Sequence, residues 1–179
     1  MSNLPSIFPS LILFSDLNWD TVTSEYEGHY IHMSFPEYLQ AKADEGDCPP
    51  YLFEIAYYEQ ALFEASNADN AFPHQPGVYL NPTALFLSLE FDVVSMIADA
   101  RKGQPTCIEK EHILVVYRDE AQNVHTLPLT QQELELLQQL EDGPMPDHNF
   151  LKGYSPLILQ DLVRKRLILD LTQIPIQVP

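Results

Sequence analysis

HILVVYRDEAQNVHTLPLTQQELELLQQLEDG, residues 112–143, is the stretch from which the fold is read. His112 to Arg118 is rich in β-branched and aromatic side chains, which pack well on a pleated surface, so it predicts a strand. Asp119 to Asn123 supplies turn residues, and Val124 to Leu129 returns as the second strand of a hairpin. Thr130 with Glu133 is a capping box, in which the hydroxyl takes the Glu133 N–H and the carboxylate reaches back to the Thr130 N–H. Leu134, Leu137 and Leu140 then recur on one helical face, Leu136 widens it, and Gly143 suits a left-handed stop.

Downstream, Ser155-Pro156 gives a second helix start, with serine as cap and proline in the first turn. Leu159, Leu162 and Val163 form its apolar stripe. Arg164, Lys165 and Arg166 crowd its last turn, where cations complement the helix dipole; the same run is alternatively a ligand-binding patch. LILDL, residues 167–171, reads as a closing strand. Two strands, two helices and a wing-like strand are the layout of a winged-helix-like module. Gln104-Pro105-Thr106 makes a natural boundary, so the expected organisation is an acidic, mainly helical region over 1–105 and the module over 106–179. The expected class is α+β.

Upstream, residues 1–30 hold two prolines and no sustained period, and read as an extended arm with one short element. Ser34-Phe35-Pro36-Glu37 starts a helix that ends near Gly46. Pro49-Pro50 opens a longer one, in which Leu52, Ile55, Ala56, Glu59, Leu62 and Phe63 share a stripe that is apolar apart from Glu59. A carboxylate there is expected to flank the core. Asn67 to Gly77 reads as a loop, Leu85 to Asp92 alternates as a strand does, and Asp92 caps a helix that Gly103 stops.

Charge narrows the partner class. The chain carries −17 overall. Residues 1–100 set 15 carboxylates against the single base Lys42, while residues 101–179 set 11 against 8. A surface this acidic repels a phosphate backbone within a Debye length of about 8–10 Å, so nucleic acid is disfavoured as a partner. The charge serves either solubility or docking of a basic partner. Cys48 and Cys107 form no CxxC pair and read as free thiols. No apolar run approaches the ~18 residues of a membrane span, and no signal peptide is recognised, which predicts a cytoplasmic chain.

Catalytic constellations are not found. His29 and His32, with Glu25 and Glu27 nearby, suit a metal only on a helix, whereas Tyr30 and Ile31 favour a strand that sends the imidazoles to opposite faces. His74, His112, His125 and His148 are scattered. There is no GxSxG elbow, no supported cysteine nucleophile and no phosphate loop. The expectation is a protein that is not an enzyme and holds no cofactor or metal.

The pattern from His112 to Leu171 resembles the winged-helix recognition element of peptide-natural-product biosynthesis, which binds the leader of a ribosomally made precursor. PPYLFEIAYYEQALFEA and LNPTALFLSLEFDVVSMIADARKGQP look like the middle of a family labelled as having a putative DNA-binding domain. Members of that family are similar to partner proteins encoded beside multinuclear non-haem iron oxygenases. The resemblance spans roughly residues 35–171. It departs at residues 1–34, which lack the family's longer basic segment with its tyrosine-arginine-asparagine signature. It implies a non-catalytic partner that binds a precursor peptide, a metal-dependent oxygenase, or both. The expected physical route is strand addition at the hairpin edge, with Tyr117 and His125 lining the edge and Leu159 and Arg164 on the facing helix. The alternatives are a DNA-binding regulator that reads bases with the helix from Pro156 to Arg166, and a purely structural adaptor.

Overall fold

The computed structural model describes residues 4–14, 18–30, 32–69, 72–141, 143–146 and 153–172. It is a mixed α/β chain with a helical N-terminal region and small sheets toward the C terminus. The chain forms two compact units, each built from two stretches: residues 1–64 with 87–112, and residues 65–86 with 113–179.

In the first unit, the expected extended arm is helical. Helix α1 covers Leu4–Ile7, a 3₁₀ turn covers Leu11–Leu13, and α2, Trp19–Glu25, runs into a π-helical turn at Tyr26–Tyr30. Leu4, Phe8, Leu11 and Phe14 are all buried, a spacing close to a helical period that Pro5 and Pro9 interrupt in the sequence. Asn18 caps α2 by accepting from the Thr21 N–H at 3.2 Å. Phe8, Trp19 and Tyr26 pack on Phe35 at ring separations of 5.1, 5.7 and 5.1 Å. Side-chain burial, not local propensity, thus orders this segment.

Helix α3, Phe35–Glu45, starts in a complete capping box between Ser34 and Glu37 and ends at Gly46 with φ +84°. That left-handed conformation favours glycine, so the stop read from the sequence holds. Helix α4, Tyr51–Asn67, follows, with residues 51–64 in this unit. Leu52, Ile55 and Ala56 are fully buried as the stripe predicts, but Phe63 is 43% exposed and Glu59 does not flank the core. Glu59 and Glu54 are both buried. Glu59 accepts from the Ser10 N–H at 2.9 and 3.2 Å. Glu54 accepts from the Glu90 N–H at 2.9 and 3.1 Å and from the Phe91 N–H at 3.0 Å. Each carboxylate replaces a water that a buried backbone donor would otherwise need. Helix α5, Val93–Ala100, is capped by Asp92, which accepts from the Ser95 N–H at 3.2 Å.

In the second unit, β1 covers Val78–Leu80, which the sequence reading left unassigned. Strand β2, Leu85–Phe91, of which residues 87–91 belong to the first unit, pairs with β3, Glu109–Arg118, of which residues 109–112 do likewise, and β3 pairs with β4, Val124–Leu129, in the order β2-β3-β4. Helices α6, Gln131–Glu141, and α7, Pro156–Arg164, follow. The Thr130 box forms as read: the Thr130 N–H donates to Glu133 at 2.7 Å and the Glu133 N–H to the threonine hydroxyl at 3.3 Å. Ser155 caps α7 by accepting from the Leu157 N–H at 3.4 Å. The closing strand β5, Ile168–Asp170, does not join the hairpin as a wing. It pairs antiparallel with β1, Leu80 opposite Ile168, in a separate two-stranded sheet. Val78, Val115, Tyr117, Leu136, Leu137, Leu140, Leu162, Leu167 and Ile168 make one core, onto which Leu127, Leu129, Leu159 and Val163 pack.

Candidate binding surface on the hairpin and the last helix

The hairpin's geometry follows from its register. Tyr117 lies opposite His125 and Arg118 opposite Val124. The Asp119 N–H donates to the Asn123 carbonyl at 2.9 Å, and Gln122 adopts φ +70° in the turn between them. Antiparallel pairs alternate between those that exchange hydrogen bonds and those that do not. Counting from Asp119 and Asn123, Val124 and Pro128 have their backbone nitrogens turned away from β3. Pro128 has no N–H and is tolerated on β4 for that reason, since prolines in sheets are confined to edges and bulges.

The four residues expected to form one groove do not share one surface. Tyr117 belongs to the central strand, not an edge; it is 2% exposed, and its hydroxyl donates to the Lys165 carbonyl at 2.6 Å. Burial raises its pKa. Leu159 turns inward onto the core. His125, opposite Tyr117, lies half-buried on the same face of the hairpin, while Arg164 is exposed. The His125 ring stacks on Tyr117 at 5.2 Å and 26°, and its Nε2 meets Asp119 Oδ2 at 2.8 Å. That hydrogen bond pulls the Asp119 carboxyl down to about 2. Arg164, its side chain 80% exposed, pairs with Asp161 at 2.5 Å, and Lys165 pairs with the same carboxylate at 2.5 Å. The basic run is therefore partly neutralised on its own helix.

A polar node that sequence reading missed joins the hairpin to the end of α7. Asn81, 1% exposed, donates from Nδ2 to the Arg118 carbonyl at 2.9 Å and to the Arg166 carbonyl at 3.0 Å. Its Oδ1 accepts from the Thr83 N–H at 2.9 Å and the Thr83 hydroxyl at 2.8 Å. The Arg118 N–H donates to the Thr83 hydroxyl oxygen at 2.7 Å. The buried Arg118 guanidinium donates to the carbonyls of Ser66, at 2.9 Å, and Ala68. Arg166 itself takes φ +62° as the chain turns into β5. The only advance signal was an Asn-Pro-Thr triplet, which reads equally well as an ordinary turn.

On the outer face of α7, Leu157 is 74% exposed and shares a shallow hollow with Gln160, Asp161 and Arg164. Among the described residues no group of three or more His, Cys, Asp or Glu side chains is arranged to hold a metal. His29 lies in the π-helical turn rather than the expected strand, and Glu25 is committed to Lys42 at 2.9 Å. His148 lies outside the described residues. No helix among the described residues is long and apolar enough to cross a membrane.

A comparison with curated proteins gave no match. The HvfC C-terminal domain family matches residues 81–155, from Asn81 of the polar node to the Ser155 cap of α7. Over β2, the hairpin and α6, this chain is similar to that domain.

Proposed function

We propose that the chain is a non-catalytic partner protein that binds a precursor peptide, and through it serves a metal-dependent oxygenase encoded elsewhere. The likeness of residues 81–155 to the HvfC C-terminal domain is consistent with a partner protein family of oxygenase-associated systems. The observation that carries the peptide part is β4, which has β3 on one flank and ends the sheet order. An added strand pairs its main chain with such an edge and gains affinity without any catalytic group. His125 replaces Tyr117 as the edge residue, and Leu157 with Arg164 replaces Leu159 as the helical contact.

The test is binding of the co-encoded peptide by fluorescence anisotropy to three variants whose thermal melts match the parent. Val124→Pro obstructs the outward side of β4, where no donor to β3 is lost. Leu157→Asp and Arg164→Glu alter the outer face of α7. Loss of at least tenfold in affinity for Val124→Pro, with smaller losses for the helix variants, is expected. Parental affinity in all three removes the proposed surface. A mobility shift with duplex DNA at about 0.15 M salt is expected to show no retention, because the net charge opposes phosphate binding; sequence-specific retention would favour the regulator instead.

A further inference from the structure

The hairpin register decides which side chains of β4 an added strand meets. Asp119 and Asn123 form a hydrogen-bonded pair, and the pairs alternate from there, so Val124 turns its N–H outward while His125 and Leu127 turn theirs toward β3. A strand added antiparallel on the open side therefore faces His125 and Leu127 in pairs that exchange no hydrogen bonds. In such pairs the Cα atoms are about 4.5 Å apart and the side chains touch. Both residues lie on the face whose β3 members, Tyr117 and Val115, are buried, yet His125 and Leu127 are themselves only half-buried. Surface on that face is thus left uncovered along the open side of β4.

The state of the His125 ring is set from behind. Asp119 accepts from the Asn123 N–H at 2.9 Å and meets His125 Nε2 at 2.8 Å, and the hydrogen bond with His125 foremost keeps its carboxyl ionised at neutral pH. An ionised carboxylate only accepts, so Nε2 carries the hydrogen and the neutral ring has its lone pair at Nδ1. One face of the ring stacks on Tyr117, and the side chain is 40% exposed. Among the described residues nothing hydrogen-bonds to Nδ1. The hairpin thus fixes one acceptor beside an open backbone edge, and Leu127, two positions on, offers hydrocarbon on the same face.

We propose that this edge selects its peptide by two side chains two positions apart, an apolar residue against Leu127 and then a hydrogen-bond donor, a hydroxyl, carboxamide or ammonium, against His125 Nδ1. The inference rests on strand addition at β4 and adds to it the order apolar-x-donor, read from the N-terminal side of an antiparallel strand. A carboxylate is rejected at the second position, because it brings acceptors to a lone pair backed by the Asp119 charge. Specificity here comes from alternate side chains, while the main chain supplies affinity common to any extended peptide.

The probe is a backbone-cyclised hairpin peptide, one strand of which carries leucine and, two positions later, a test residue: glutamine, its isosteric acid glutamate, or methionine. Each is titrated into the full ¹⁵N-labelled chain at about pH 8, where an ordinary histidine is neutral. Amide shifts of Val124 and His125 locate the contact and give the affinity. The glutamine peptide is expected to bind at β4 about fivefold more tightly than either of the others, the worth of one hydrogen bond. Serine in place of the leucine should weaken it about tenfold. His125→Phe keeps the stack on Tyr117 and removes the acceptor, so it should bind all three test residues alike. The ring nitrogens of the parent give a second reading that needs no variant: the Nδ1 signal moves with glutamine and stays with methionine. Equal binding of the three peptides at β4, or a preference for glutamate, overturns the selection rule and leaves strand addition standing. A preference for glutamine that persists in folded His125→Phe, or a still Nδ1 signal, overturns it as well. If no peptide shifts Val124 and His125, strand addition itself fails, and the selection rule with it.

Discussion

Replacing Asn81 by alanine should cost about 3 kcal/mol and lower Tm by something of the order of 10 °C. The side chain makes four hydrogen bonds, to the carbonyls of Arg118 and Arg166 and from the N–H and hydroxyl of Thr83. Truncation leaves the Arg166 carbonyl and the Thr83 N–H without the amide, while the Thr83 hydroxyl and the Arg118 carbonyl keep each other at 3.2 Å; each buried group left without its partner costs about 1–3 kcal/mol, partly relieved by relaxation. Thr83→Val keeps the shape and removes the hydroxyl that links Asn81 to the Arg118 N–H, so it should cost about half as much. Chemical denaturation of both variants decides the matter. A loss below about 1 kcal/mol for Asn81→Ala would mean that water replaces the amide and that the node does not organise the unit.

The second large effect is a dependence of stability on pH that runs opposite to ordinary acid denaturation. Burial raises the folded-state pKa of Glu54 and of Glu59 above the usual 4.5, outweighing their backbone hydrogen bonds. Across the window from 4.5 up to the raised values, the native state binds protons that the unfolded chain has released. Stability from these two groups is therefore fully present below the unfolded pKa and is lost as pH rises through the folded one. The groups with depressed values, such as Asp92, Asp119 and Glu25, act below their own usual values and leave this window to the two glutamates. The urea midpoint should be higher at pH 5 than at pH 8. Glu54→Gln with Glu59→Gln imitates the protonated acids and should flatten that slope. A slope that survives the double replacement would falsify the assignment.

The legible parts of this fold are those whose signals are local. Thr130 with Glu133, Ser34 with Glu37 and Ser155 with Pro156 start helices through contacts within three residues, and Gly46 stops one by its own backbone freedom. What stayed hidden depends on distant partners. Glu59 sits on a helical stripe as a flanking residue would, and Ser10, 49 positions earlier, with the distant Arg101 charge, makes its burial tolerable. The three residues of β1 carry too little pattern to be recognised without β5 beside them. Tyr117 reads as an edge residue because a hairpin alone has two edges; β2 takes one of them and makes β3 central.

The polar node also bears on when this protein can fold. Asn81 bonds to Arg166 across 85 positions, and Arg118 reaches Ser66 across 52. As the polypeptide leaves the ribosome, Asn81 emerges long before its last acceptor, and β1 waits for β5 just as long. Loop closure over such spans must be met before its contacts return any stability, which slows folding. The second unit therefore closes only after Arg166 and β5 have emerged, and until then the hairpin edge is exposed to whatever strand is nearby.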